Sequence, residues 1–184
     1  GRGSRISEET NIIPKPLIEI NGKPIIIYLI EHYSKFGFNE FIISTGYLSN
    51  RIKEYFINFK NYNSDIEVDL SKNKINLLKD KNLNWKIKIV DTGLDTNTGG
   101  RIYKLKKYLY NEEHFLATYG DGLSDIDIKK LIKNHKKSKK LATVSLVKNQ
   151  SRFGHFQFNK GKLIKFSEKP ILSNTRINGG FFVF

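Results

Sequence analysis

Ile26, Leu29, Ile30 and Tyr33 fall at i, i+3, i+4 and i+7, the spacing of one helical face. Pro24 sits near the first position of that helix and Gly37 just past its end, as helix punctuation requires. Ahead of it, Pro14 and Pro16 predict an extended Ile13–Leu17 segment, and Asn21-Gly22 predicts a turn. Phe41–Thr45 reads as a short buried strand bounded by Gly46. A second helix follows, capped by Ser49 or Asn50, with Ile52, Tyr55, Phe56 and Phe59 on one face. Residues 60–84 are polar and weakly patterned, with room for short strands only. Trp85–Val90 is a clearer strand that runs into the loop Asp91-Thr92-Gly93. The next helix carries Ile102, Leu105 and Leu109 on one face. A strand at His114–Tyr119 ends in Gly120-Asp121-Gly122, and a helix with Ile128, Leu131, Ile132 and His135 on one face comes after it. Leu141–Val147 is a further strand. Phe156 and Phe158, the turn Asn159-Lys160-Gly161 and the return Leu163–Phe166 predict a hairpin.

Strands alternating with helices imply an α/β chain, with a mainly parallel mixed sheet flanked by helices. The late hairpin adds an antiparallel element. Ligands in such sheets bind beyond the carboxyl ends of the strands. Asp91–Gly100 and Gly120-Asp121-Gly122 are the segments at those ends. No repeat, low-complexity tract or linker divides the chain, so residues 1–184 read as a single domain.

Composition narrows the class. The chain is 39% hydrophobic, which suits a packed core. The apolar run Ile25–Ile30 is far too short to span a bilayer, and no signal-peptide pattern opens the chain. With no cysteine there is no disulfide, thiolate metal site or Cys nucleophile. The formal net charge of +14 raises the question of nucleic acid, but the lysines are scattered. Their dense run, Lys133–Lys140, falls at a helix end where cations suit the dipole. The same field would draw small phosphorylated substrates. The expectation is therefore no nucleic-acid partner, no membrane and a cytoplasmic setting. There is no methionine, and Phe184 closes an apolar strand-like run, so the chain is expected to be incomplete at both ends.

Several residues could carry chemistry. Gly1-Arg2-Gly3-Ser4-Arg5 combines glycines, which let backbone N–H groups approach phosphate, with guanidiniums that grip it. The same stretch is also compatible with a terminal tail. Lys15 is presented from a stiff Pro-Lys-Pro platform, or is a surface lysine in a connection. Asp121 stands between glycines after a strand, where a carboxylate could hold Mg²⁺ or simply make a turn. Thr98-Gly99-Gly100-Arg101 opens a helix, where free N–H groups and an arginine could read a base edge or a phosphate; plain capping accounts for it equally. His32, His114, His135 and His155 lack metal-ligand spacing, and no Walker loop, G-x-S-x-G or nucleophile–base set is present.

The order of these signals is specific. Gly3-Ser4-Arg5, then Pro14-Lys15-Pro16, Lys23-Pro24-Ile25, Gly120-Asp121-Gly122, Glu168-Lys169-Pro170 and Asn178-Gly179-Gly180 resemble the motifs of sugar-1-phosphate nucleotidyltransferases. Ser7–Thr10, Val90–Gly93, Thr98–Arg101, Tyr119–Gly122, Arg152-Phe153-Gly154 and Ile177–Phe182 are similar to the glucose-1-phosphate cytidylyltransferase subgroup. The resemblance covers essentially the whole chain. It implies a Rossmann-like nucleotide-diphospho-sugar transferase fold, CTP and glucose 1-phosphate as substrates, Mg²⁺ as cofactor, and a homo-oligomer when full length. Gly1, Arg2, Gly3 and Ser4 would line the triphosphate, and Arg5 would stabilise the departing pyrophosphate. Lys15 would orient the sugar phosphate, and Asp121 with Gly120 would hold the metal and nucleotide. Thr98, Gly99 and Arg101 would face the base, which favours CTP over UTP or dTTP. Glu168, Lys169, Asn178 and Gly179 would face the sugar. Three departures stand out. The family's first strand and first loop glycine would precede Gly1, Ser4 replaces a threonine, and Arg2 occupies a usually apolar position. The family also continues past Phe184 with a second metal-binding aspartate.

Overall fold

A computed structural model describes residues 13–79, 82–150, 155–168 and 171–184. They form two compact units. The first holds the described residues up to Glu113 together with Gly120–Asp125; the second holds His114–Tyr119 and Ile126–Phe184.

The first unit begins with a 3-10 turn at Lys15–Leu17. This corrects the extended reading of the Pro-Lys-Pro segment. Proline fixes φ near −65°, which suits a tight helical turn as well as extended chain. Here Leu17 N–H donates to Pro14 O at 2.7 Å and Ile18 N–H to Lys15 O at 3.1 Å. A small hairpin, β1 (Glu19–Ile20) and β2 (Lys23–Pro24), folds over Asn21 (φ 51°) and Gly22 (φ 72°). Helix α1 (Ile25–Ser34) follows, and Ile26, Ile27, Leu29, Ile30 and Tyr33 are its buried face. Strand β3 (Glu40–Thr45) pairs in parallel with β6 (Lys86–Asp91), in register from Glu40 opposite Lys86 to Thr45 opposite Asp91. Ile26, Ile27 and Ile30 pack against Phe41 and Ile43 of β3, Ile87 of β6, and the aromatics Tyr55, Phe56, Phe59 and Trp85.

Helices α2 (Ser49–Ile57) and α3 (Phe59–Asn63) supply Tyr55, Phe56 and Phe59, and Trp85 comes from the residue just before β6. Neither expected cap at the start of α2 is used. Leu48 takes the cap position at φ 51°, and the Ser49 hydroxyl turns inward to Thr45 Oγ1 at 2.8 Å. The polar stretch between α3 and β6 holds a real hairpin, β4 (Ile66–Asp69) and β5 (Lys74–Leu77). Its turn is built by Asp69, whose Oδ1 accepts from Ser71 N–H (3.0 Å), the Ser71 hydroxyl (2.6 Å) and Lys72 N–H (3.2 Å). The Ser71 hydroxyl bond is the main reason this carboxyl lies below its usual range. The expected helix around Ile102 is two short ones, α4 (Thr98–Lys104) and α5 (Lys106–Leu109). At the break, Leu105 N–H is shared between Arg101 O and Ile102 O, a 3-10 tightening of the last turn.

In the second unit β7 (Leu116–Thr118), β8 (Thr143–Gln150) and β11 (Ile171–Val183) form an antiparallel sheet with β11 in the middle. Helix α6 (Ile128–Ser138) starts at Asp127, whose carboxylate accepts from Lys130 N–H at 2.9 Å. Ile128, Leu131, Phe181 and Val183 are the buried apolar residues here. His135 is buried with them, Nδ1 at 2.9 Å from the Thr143 hydroxyl, so it packs rather than ligates. The expected hairpin is present as β9 (His155–Asn159) and β10 (Lys162–Ser167), turning through Lys160 and Gly161 at positive φ.

The α/β class expected from the alternation is the one the chain adopts. The balance within the sheets differs. Among the described residues, β3–β6 is the parallel pairing, and every other named pairing is antiparallel. The polar stretch hides one antiparallel hairpin, and β11 is long enough to hold two antiparallel neighbours. No helix among the described residues is long and apolar enough to cross a membrane.

The packing of α1 on the sheet sets one stability prediction. Ile27 is 3% exposed, and Ile27→Ala should cost about 2–5 kcal/mol, seen as a lower urea midpoint at unchanged m. Ile57→Ala, at a 79%-exposed site, should change stability by no more than about 0.5 kcal/mol.

Candidate active site

Pro14 is buried and Pro16 half-buried, so the turn they frame is a fixed platform for the Lys15 side chain. A Cβ added to Gly120 would lie 3.0 Å from Pro16 Cγ, so the glycine is what lets the later loop seat on that platform. The contact brings Asp121 beside Lys15. Asp121 Oδ2 is 3.7 Å from Lys15 Nζ, with side chains 46% and 22% exposed. Two motifs distant in sequence thus meet as a half-buried ammonium and an exposed carboxylate. A partly exposed pair at this distance contributes at most about 1 kcal/mol. Both charges can therefore be redirected to a ligand at little cost.

A second polar cluster occupies the carboxyl ends of the parallel strands. Thr45 and Asp91 are opposite one another as the last residues of β3 and β6. Thr92 N–H continues the ladder to Thr45 O at 2.9 Å. The Arg101 guanidinium, reaching back from α4, donates to Thr45 O (2.8 Å), the Thr92 hydroxyl (2.6 Å) and Leu94 O (3.2 Å). Lys104 donates to Thr92 O (2.9 Å) and the Thr96 hydroxyl (3.1 Å). Thr98 and Gly99 are exposed first residues of α4, and the cap is Asn97, whose Oδ1 accepts from Gly100 N–H at 2.8 Å. One N–H at that helix start is therefore already taken.

In the other unit Asn178 lies on β11 where its register with β8 shifts. Its Nδ2 donates to the Tyr119 hydroxyl at 3.1 Å, and its Oδ1 accepts from Gly180 N–H at 2.8 Å. Gly179 has no space for a side chain, since a Cβ would lie 2.6 Å from Ser145 Oγ. Glu168 is exposed in the bend after β10. Lys169, and Gly1, Arg2, Gly3, Ser4 and Arg5, lie outside the described residues.

Asp121 is the acidic candidate for a metal among these residues. No group of three or more His, Cys, Asp or Glu that could cage an ion occurs among the described residues. Mg²⁺ does not need such a cage, because it is held by one or two carboxylates together with substrate phosphates and water. The chemistry of the donor set also fits. A bare carboxylate beside a phosphate-seeking lysine would repel a polyanion, and a divalent cation between them removes that conflict.

The family model described as Nucleotidyl transferase matches residues 1–184. The chain belongs to that family. This nucleotidyltransferase is 42% identical over 183 residues to the glucose-1-phosphate cytidylyltransferase of Salmonella typhimurium, spanning 100% of this chain and 71% of that one. It is 43% identical, with the same coverage, to a Bacillus subtilis protein named probable glucose-1-phosphate cytidylyltransferase. Its fold matches a crystal structure of UDP-glucose pyrophosphorylase complexed with UDP-glucose at a TM-score of 0.63 and 20% identity, covering 100% of this chain and 72% of that one. The motif resemblance read from the sequence and the Rossmann-like fold are thereby borne out.

The sequence reading passed over Thr45, Gly46, Thr92, Thr96 and Lys104 as site residues. A signal for the first of these was present. Thr45-Gly46 and Thr92-Gly93 are the same dipeptide at the carboxyl ends of the two paired parallel strands, β3 and β6. A threonine followed by glycine there offers a hydroxyl turned inward and a backbone with room for close approach.

Proposed function

We propose that the protein transfers a cytidylyl group from CTP to glucose 1-phosphate, giving CDP-glucose and pyrophosphate. The observation that carries this is the meeting of Lys15 and Asp121 on the Pro16–Gly120 contact. It supplies one cation for a sugar phosphate and one carboxylate suited to a metal. The identity to glucose-1-phosphate cytidylyltransferases supports the choice of base and sugar.

The reaction needs no general base. A phosphate oxygen of the sugar, already anionic at neutral pH, forms a bond to the α-phosphorus of CTP. The bond from that phosphorus to the β-phosphate oxygen breaks, and pyrophosphate leaves as an anion. Bringing two polyanions together and stabilising the leaving group is the whole task. Lys15 neutralises and orients the sugar phosphate. Gly1, Arg2, Gly3 and Ser4 line the triphosphate and Arg5 meets the pyrophosphate, by resemblance to the family. Asp121, beside Gly120, would hold Mg²⁺, which when bound supplies positive charge to the nucleotide phosphates. Thr98, Gly99 and Arg101 face the base. Asn178, oriented by Tyr119 and Gly180, faces the sugar with Gly179, Glu168 and Lys169. The reading places the protein in the cytoplasm as a homo-oligomer, with no nucleic-acid or membrane partner.

The test is pyrophosphate release by the full-length enzyme from glucose 1-phosphate and Mg²⁺ with CTP, UTP, dTTP, ATP or GTP in turn. Release with CTP alone is the expected result. Equal or greater release with another nucleotide would remove the base assignment and leave the transfer chemistry. Silence with all five from folded protein would reject glucose 1-phosphate as the acceptor.

A further inference from the structure

Arg101 is a cation held entirely by neutral oxygens. Its partners are two carbonyls and a hydroxyl, with no carboxylate among the described residues. Nη1 spends both hydrogens on Thr45 O and Thr92 Oγ1, while Nη2 spends one on Leu94 O. Among the described residues Nε–H and the second Nη2–H have no acceptor, and no carboxylate there compensates the charge. A guanidinium fixed in this way is pre-aimed at a polar ligand, with its side-chain entropy already lost.

Thr92 is the residue that fixes it. It is 1% exposed, and its hydroxyl is used to capacity. The hydroxyl donates to Thr45 O at 2.7 Å and accepts from Arg101 at 2.6 Å; Ser44 Oγ, at 2.9 Å, is left to donate to its second lone pair. With its one hydrogen and both lone pairs engaged, the hydroxyl is held in one orientation and, with Thr45 O and Leu94 O, presents a fixed acceptor to the arginine. The surroundings admit no slack. A Cβ on Gly46 would lie 2.5 Å from Gly93 O and 2.9 Å from Arg101 Nη1. Lys104, one turn along α4 from Arg101, pins the far side of the same loop through Thr92 O and Thr96.

We infer that Thr92 is a positioning residue for nucleotide selection, acting through Arg101. This rests on the reading that Arg101 faces the nucleotide. Removal of the hydroxyl leaves the guanidinium charged but unaimed. The nucleotide then binds less tightly and bases are told apart less well, while the sugar phosphate and the chemical step are untouched.

The test is steady-state kinetics of full-length Thr92→Val and Thr92→Ser. Valine keeps the shape and deletes the hydroxyl; serine keeps the hydroxyl. For Thr92→Val the expected result is a nucleotide KM raised about 10-fold, the scale of one hydrogen bond to a charged group. The preference for CTP over UTP should fall by a similar factor, with kcat and the sugar-phosphate KM within about twofold of the parent. Thr92→Ser should restore the parent values. An unchanged nucleotide KM in Thr92→Val overturns the inference. So does a loss of kcat shared by all nucleotides, or a serine variant as impaired as valine, since either marks a merely structural role. Should Thr92→Val not fold, Arg101→Lys reads the same geometry, because one ammonium cannot reproduce the planar fork over Thr45, Thr92 and Leu94. It should show the same KM rise, and a parental KM in that variant overturns the inference. Arg101→Ala separates the two levels. If it weakens nucleotide binding and Thr92→Val does not, the positioning role alone fails. If it leaves nucleotide KM and selectivity unchanged, Arg101 does not face the nucleotide and both fail.

Discussion

Lys15→Ala in the full-length enzyme lowers kcat at least about 100-fold, the scale on which one electrostatic stabiliser acts. The reason lies in how the ammonium is held. A lysine on a mobile loop could be replaced by any of the chain's many other lysines, and its loss would be shared. Lys15 instead leaves a 3-10 turn framed by Pro14 and Pro16, with a side chain 22% exposed and directed at Asp121. Among the described residues no other cation is presented from that platform. Its deletion removes the charge that brings the sugar phosphate against the α-phosphate, so kcat/KM for glucose 1-phosphate should fall by at least the same factor. Stability should change by no more than about 1 kcal/mol, because the pair with Asp121 is long and partly exposed. Arginine in its place keeps the charge but spreads it over a planar fork, and should recover part of the rate. Initial rates of pyrophosphate release, with thermal unfolding as the control, measure both quantities. Near-parental turnover in folded Lys15→Ala would reject the role.

Much of this arrangement was legible in the chain itself. The α1 stripe, β3 and the β9–β10 hairpin carry strong periodicity, and their positions follow from it. The meeting of Lys15 and Asp121 was not written in any local pattern. It depends on a ring of Pro16 lying against a glycine distant in sequence, and such a contact has no periodicity to betray it. Order along the chain carried it instead, through the motif resemblance. Two local errors have local causes, and the short strands expected between residues 60 and 84 were only loosely placed. Proline constrains φ and leaves ψ free, so Pro14-Lys15-Pro16 could turn as readily as extend. Ser49 resembles a cap, but a buried neighbour, Thr45, outcompeted the backbone for its hydroxyl. The β4–β5 hairpin has exposed apolar residues such as Val68 and Ile75, so no clean alternation marks its strands. Its Asp69–Asn73 turn was the signal available.

Arg101 shows the sharpest gap between sequence and structure. The sequence offered an arginine at the start of a helix and suggested that helix N–H groups and arginine together read the ligand. In the structure the cap residue Asn97 takes one of those N–H groups, and the arginine turns toward the ends of β3 and β6. It joins strand end, loop and helix into one piece. A residue with five donors can do this and still retain donors for a ligand, which a lysine could not.

Asp121→Ala should match Lys15→Ala in its effect on turnover, at least about 100-fold, but for a different reason and with a different signature. The carboxylate is 46% exposed in a loop between glycines, so its deletion costs little stability and opens no cavity. It also frees Lys15 from its counter-charge. If charge on Lys15 alone governed the rate, the variant would be faster, since the ammonium would meet the sugar phosphate without competition. The expected loss therefore isolates what the carboxylate itself provides, a hard oxygen donor for a divalent cation at the nucleotide phosphates. The half-saturating Mg²⁺ concentration should rise together with the fall in kcat, whereas in Lys15→Ala it should stay near the parental value. Asp121→Asn, which keeps the size and removes the charge, should behave like alanine in both respects. A folded Asp121→Ala enzyme with parental turnover, or one that loses turnover at an unchanged Mg²⁺ requirement, would reject Asp121 as the metal's carboxylate and leave it only the orientation of Lys15.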